Sequence, residues 1–102
     1  MKTRRKRYLK FRLHRDGAPP TGKKVAEEIW KSLLSLYGEV AVADSRLYMS
    51  EYDQKSGVGV LQCSAALLER VITSAVLIDS IEGTRVSFEP KKTSGTLRGL
   101  RS

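Results

Sequence analysis

Residues 7–14 read Arg7-Tyr8-Leu9-Lys10-Phe11-Arg12-Leu13-His14. Leu9, Phe11 and Leu13 alternate with Lys10, Arg12 and His14. A period of two marks a strand with one face on a core. The other face would present Tyr8, Lys10, Arg12 and His14. This stretch makes the fold sheet-based and gives the sheet a positively charged side.

Asp16 to Pro20 holds Gly17, Pro19 and Pro20 and reads as a loop. Thr21 follows as a helix N-cap, its hydroxyl placed to accept from free backbone N–H groups. The spacing then predicts a helix over 22–37. Val25, Ile29, Leu33 and Leu36 form its apolar stripe, with Ala26, Trp30, Leu34 and Tyr37 beside it. Trp30 is expected to pack in the core. Gly38 should end the helix in a left-handed conformation. Residues 46–52 alternate again: Leu47 and Met49 point inward, Arg46, Tyr48, Ser50 and Tyr52 outward. Glu51 falls on the inward parity. Asp53 to Gly57 reads as a hairpin turn. Val58 to Cys63 is apolar enough for a central strand. Ser64 is placed to cap a second helix over 65–78, with Leu67, Leu68, Val71, Ile72, Ala75 and Val76 on its apolar face. Gly83 breaks that pattern. Thr84 to Glu89 reads as a fourth strand with Val86 and Phe88 inward, and Pro90 should stop it.

The order β-α-β-β-α-β predicts an α+β, ferredoxin-like two-layer sandwich. One antiparallel sheet would carry two helices on one face and leave the other available. The chain divides into a basic arm (1–6), a folded domain (7–90) and a basic tail (91–102), mostly irregular with at most a short helical turn.

Charge supports this division. The 102 residues carry a formal net charge of +8. Residues 1–15 hold eight Lys or Arg and no acid, and residues 90–102 hold four and no acid. The segment between holds seven basic and eleven acidic residues. Like charge concentrated at two ends repels itself, and a polyanion relieves it. RNA or DNA is the usual polyanion, with counterion release supplying much of the affinity. The expected phosphate contacts are Arg4, Arg5, Lys6, Arg7, Lys10, Arg12 and Arg15 at one end, and Lys91, Lys92, Arg98 and Arg101 at the other. Arginine dominates the first group, and its planar guanidinium pairs with phosphate in bidentate fashion.

Other classes fit less well. The longest apolar stretch, Val71 to Ile78, is far below the ~20 residues that span a bilayer. The first residues are charged with no apolar run behind them, so no secretory signal is expected. One cysteine, Cys63, allows no internal disulfide and points to a reducing, cytoplasmic setting. His14 and Cys63 are the only residues of their kinds, too few for a zinc site. No carboxylate pair has the spacing of a catalytic dyad, and the small acyl-phosphate hydrolases that share this topology use an asparagine that this chain lacks. Independent catalysis is not expected. A single-strand RNA-recognition motif is the runner-up, but the expected third strand carries no aromatic for stacking bases. Tyr8, Tyr48 and Tyr52 offer aromatics on the outer row, as a stacking or a protein-partner surface. The flank near Trp30 and Tyr37 is a second partner candidate.

Several segments together resemble a known family. They are Arg7-Tyr8-Leu9, then Ile29-Trp30 with Leu33-Leu34 and Tyr37-Gly38, then Arg46-Leu47 with Tyr52-Asp53. Gly57-Val58-Gly59-Val60 leads into Cys63-Ser64, and Ser94-Gly95-Thr96-Leu97-Arg98 is the most distinctive. Their order and spacing resemble ribonuclease P protein component 2, the archaeal relative of the eukaryotic Pop-family subunit. Thr21-Gly22-Lys23 departs from the better helix opening expected there. The resemblance implies a non-catalytic subunit of a ribonucleoprotein that removes the 5′ leader of precursor tRNA. It implies that RNA performs the cleavage with Mg2+, that the chain binds no cofactor of its own, and that it pairs with a larger barrel-shaped protein subunit as a heterodimer or heterotetramer.

Overall fold

The computed structural model describes residues 5–101. Its elements run β1 (Lys6–Arg15), α1 (Gly22–Tyr37), α2 (Glu39–Ser45), β2 (Tyr48–Tyr52) and β3 (Val58–Ser64). A 3-10 turn (Ala65–Leu67), α3 (Leu68–Val76), β4 (Ser80–Ile81), β5 (Thr84–Ser94) and α4 (Leu97–Arg101) follow. The sheet order is β2-β3-β1-β5-β4, and every neighbouring pair is antiparallel. The molecule is therefore α+β, as expected.

The alternation in β1 holds. Leu9, Phe11 and Leu13 are buried and meet Leu61, Cys63, Val86 and Phe88 from β3 and β5. Val25, Ile29 and Leu33 of α1 and Val71 and Ala75 of α3 close the same core. Each such side chain contributes roughly 1.5–3 kcal/mol by leaving water. The Phe11 ring stacks on Phe88 with centroids 4.6 Å apart. The α1 limits match the expectation, and Thr21 Oγ1 accepts from the Lys24 N–H at 3.2 Å.

Five expectations are corrected. First, α2 fills a segment with too few periodic residues to read as a helix. Gly38 has φ 90° and ψ 177°, so it is not left-handed helical; it turns α1 straight into α2. Second, β2 starts at Tyr48 and carries a bulge between Met49 and Glu51. An extra residue on one strand reverses the side-chain parity beyond it. Tyr52 therefore joins Met49 on the core side, and Glu51 faces out. Third, Pro90 does not stop β5. It sits at a second bulge, where Phe11 faces Pro90 and Lys10 faces Lys92 while Lys91 is the extra residue. A proline is tolerated at a bulge because it need not donate to the ladder there. Fourth, the second helix opens as a 3-10 turn and ends at Val76. Ser64 Oγ caps nothing and donates to the Asp44 carbonyl at 2.9 Å, tying α2 to the sheet. Fifth, Leu36 and Val76 are exposed, and so is Trp30, at 46%. The α1–α3 interface is narrower than the apolar faces of the two helices. The short β4 pairs back on β5 through Glu82 and Gly83, both at positive φ, as a mirror-image hairpin turn requires.

Candidate nucleic-acid interface

Helices α1 and α3 cover one sheet face. Strand register lays out the other in rows that run across the strands. One row reads Tyr48, Gln62, Tyr8 and Ser94 from β2 to β5. The next reads Glu51, Val60, Lys10 and Lys92. A third reads Val58, Arg12 and Glu89, and the last pairs His14 with Ser87. Lys10, Arg12 and Lys92 thus share one surface, although Lys92 lies eighty residues further along the chain. The bulge at Lys91 brings them together by setting Lys92, rather than Lys91, opposite Lys10.

The edge of this surface is neutralised. His14 Nε2 lies 2.7 Å from Glu89 Oε1, and Lys91 Nζ lies 3.1 Å from Glu89 Oε2. The hydrogen bonds from His14 and then Lys91 hold the Glu89 carboxyl below its usual range. Lys91 is therefore paired with an acid in the protein itself.

The C-terminal segment crosses this face. The Thr96 N–H donates to Ser94 Oγ at 3.2 Å, and the Gly99 N–H donates to Thr96 Oγ1 at 3.0 Å. The first bond makes a serine turn and the second an N-cap. A Cβ at Gly99 would run into Ser94 Oγ, so only glycine lets α4 sit this close to the end of β5. This explains the Ser-Gly-Thr-Leu-Arg stretch physically: it turns the chain out of β5 and launches α4 over the sheet. Leu100 is buried to 6% exposure and lines a groove with Leu97, Val58 and Val60. Arg98 points to solvent. The face left open by the two main helices is thus partly roofed by a third. The signal for α4 lay in Thr96 followed by Leu97 and Leu100, a cap and an i,i+3 apolar pair, but five residues are too few for a periodicity argument.

The remaining expected phosphate ligands divide. Arg5 and Lys6 are exposed at the start of β1. Arg7 is half-buried on the core-side parity opposite Cys63, and its Nη1 donates to the Lys6 carbonyl. Arg15 also lies on that parity. Its Nη2 donates to the Lys55 carbonyl at 2.9 Å, so the guanidinium pins the β2–β3 hairpin. Arg4 and the Arg101 side chain lie outside the described residues.

Of the three tyrosines placed on one outer row, two belong there. Tyr8 and Tyr48 flank Gln62, and Tyr48 is 62% exposed. Tyr52 instead stacks toward Phe11 and donates its hydroxyl to the Pro20 carbonyl at 3.2 Å. Burial raises its pKa, against the pull of the nearby Arg15 charge. Trp30 stands between two apolar grooves, one shared with Leu47, Tyr48 and Met49 and the other with Leu34 and Val42. Cys63 is buried, and desolvation pushes its thiol up to about 11. Among the described residues no group of His, Cys, Asp or Glu is placed to hold a metal ion, and no helix is long and apolar enough to cross a membrane.

The arrangement favours phosphate over stacked bases. Where a recognition motif would show aromatics on its central strand, β3 shows Val58, Val60 and Gln62, and Leu100 closes over that site.

Comparison with known proteins agrees with the resemblance read from the sequence. The chain is 28% identical over 95 residues to ribonuclease P protein component 2 of Pyrococcus horikoshii, covering 93% of this chain and 78% of that one. It is 30% identical over 96 residues to the protein of the same name from Aeropyrum pernix, with the same coverage. A chain in the cryo-EM structure of yeast ribonuclease MRP superposes with a TM-score of 0.73 at 13% identity, over 96% of this chain and 79% of that one, a likeness of fold. The model of the Rpp14/Pop5 family matches residues 7–102, and the chain belongs to that family.

Proposed function

We infer that this chain is a protein subunit of ribonuclease P and binds the RNA of that enzyme. The observation that carries the inference is the family match over residues 7–102. The names of its relatives from Pyrococcus horikoshii and Aeropyrum pernix support it. The open face supplies the physical means. Lys10, Arg12 and Lys92 form a basic patch that meets phosphates and releases their counterions. Arg5, Lys6 and Arg98 extend the positive surface at its margins.

In this reading the RNA cuts the 5′ leader from precursor tRNA with its own Mg2+, and the chain holds no cofactor. Phosphates crowd where RNA helices meet. A fixed set of ammonium and guanidinium groups there replaces part of the cation atmosphere and lowers the magnesium needed to fold the RNA. The second partner is the barrel-shaped protein subunit, in a heterodimer or heterotetramer. The exposed Trp30 and Tyr48, which border one apolar groove, support a protein interface along the β2 edge of the sheet. A buried, unpaired Cys63 suits the reducing cytoplasm. The order β5-β1-β3-β2 with α1 and α3 on one face supports a ferredoxin-like core, to which α2, β4 and α4 are additions.

Reconstitution tests this function. Precursor tRNA is incubated with ribonuclease P RNA and the barrel subunit across a magnesium series, with and without the chain. The chain should shift leader removal to lower magnesium and should cut nothing by itself. A magnesium profile unmoved by the chain would refute the assignment.

A further inference from the structure

Trp30 stands half-exposed on the flank of α1, between two apolar grooves of about 330 and 310 Å³. The first lies between α1 and the start of β2, against Leu47 and Met49. The second lies between α1 and α2, against Leu34 and Val42. An indole ridge with an apolar hollow on each side has the form of an interface hot spot, where an aromatic anchor packs against apolar side chains of a partner. The charged groups that line the two grooves are both acids, Glu27 in the first and Glu39 in the second. They repel a polyanion and attract a cation. Glu27 already has Lys24 Nζ at 3.7 Å. Glu39 has no ion-pair or hydrogen-bond partner among the described residues.

β2 borders the first groove and is an edge strand, but the bulge between Met49 and Glu51 interrupts its free edge. Such a bulge keeps an incoming strand from pairing, so the groove receives side chains rather than a backbone ladder. An amphipathic helix delivers them, because residues three, four or seven positions apart stand on one of its faces and reach both hollows. We propose that the grooves beside Trp30 take one amphipathic helix of a protein partner, with an apolar side chain in each hollow and an arginine laid on the indole and paired with Glu39. The guanidinium gains a cation–π contact with the ring and an ion pair with the carboxylate. The proposal rests on the reading above that a second protein subunit binds this chain, and adds to it the site and the chemistry of the contact. It also divides the surface, with RNA on Lys10, Arg12 and Lys92 and protein on Trp30.

The test uses the barrel-shaped subunit as the partner. Trp30 is the only tryptophan in the chain, so the protein made with fluorotryptophan shows a single fluorine resonance from that side chain. Adding the barrel subunit should move the resonance and shield it from a soluble paramagnetic agent. Adding ribonuclease P RNA alone should do neither. By titration calorimetry Trp30→Ala should weaken the protein complex about thirtyfold, the loss expected of a hot-spot residue. Glu39→Gln should weaken it about fivefold, as loss of one ion pair over a ring does. Both variants should keep their RNA affinity. Benzoylphenylalanine in place of Ala43, which lines the second groove, should crosslink to partner residues spaced by three or four; crosslinks at every second residue would overturn the helix. A complex that forms with the resonance unmoved would overturn the docking site and leave the partner reading standing. Absence of any complex would remove both. A resonance moved by RNA alone would give this face to RNA and overturn the proposal as well.

Discussion

Lys10 on β1 stands directly opposite Lys92 on β5, in register across the central pair of the sheet. Like charges at directly opposed positions destabilise a sheet. The bulge at Lys91 decides which lysine faces Lys10; an unbroken register would set Lys91 there instead. A protein that holds two ammonium groups together in this way gains when a phosphate settles between them.

This juxtaposition separates binding from stability. Lys92→Glu removes a positive charge from an exposed surface and adds a negative one. Urea unfolding should stay within about 0.5 kcal/mol of wild type, as exposed substitutions usually do. RNA affinity should fall, since the face gives up one positive charge and gains a negative one. A variant with reduced stability as well as reduced affinity would show that Lys92 is needed for the fold rather than for RNA.

Gly22, the departure from a good helix opening, has a packing reason. A Cβ there would stand 3.1 Å from Tyr52 Cδ2. Tyr52 cannot easily give way, because its hydroxyl is tied to the Pro20 carbonyl and its ring stacks toward Phe11. Gly22→Ala should therefore cost about 1 kcal/mol despite alanine's better helix propensity. In a Tyr52→Val background the same change should stabilise, and a denaturant double-mutant cycle checks the reversal.

Cys63 sets a pH dependence at the alkaline end. Burial raises its folded pKa to about 11, while the unfolded thiol titrates near its usual value. Between those values the folded state holds a proton that the unfolded state has released. Stability from this residue is therefore intact below the unfolded pKa and declines as pH rises toward 11. Cys63→Ala should flatten the stability profile over that window relative to wild type. In the native state at pH 8 the thiol should resist iodoacetamide, and urea should make it reactive.

These relationships explain how far the chain could be read from its residues. The β1 alternation, the Thr21 cap and the Val25–Ile29–Leu33 stripe depend on local periodicity, and the fold contains all three. The parity of Tyr52 and Glu51 depended on a bulge at Ser50, which is set by pairing with β3 and leaves no mark in β2 itself. The run of β5 past Pro90 depended on β1 being long enough to accept it. The Lys10–Lys92 patch needed strand order and the β5 bulge at once. Charge clustering at the two ends identified the right residue types, but it placed Arg15 among the phosphate ligands when the fold turns it to the Lys55 carbonyl.

The central claim is that Lys10, Arg12 and Lys92 act together as a phosphate-binding face. The salt dependence of RNA affinity measures it most directly. The slope of log affinity against log salt is determined for wild type, for the Lys10→Gln, Arg12→Gln, Lys92→Gln triple variant and for Arg70→Gln, whose guanidinium lies over the Tyr37 ring on the helical side. The triple variant should flatten the slope by roughly 2–3 units, about 0.9 for each duplex phosphate that is no longer neutralised, and Arg70→Gln should leave it unchanged. An unaltered slope in a folded triple variant would contradict the account.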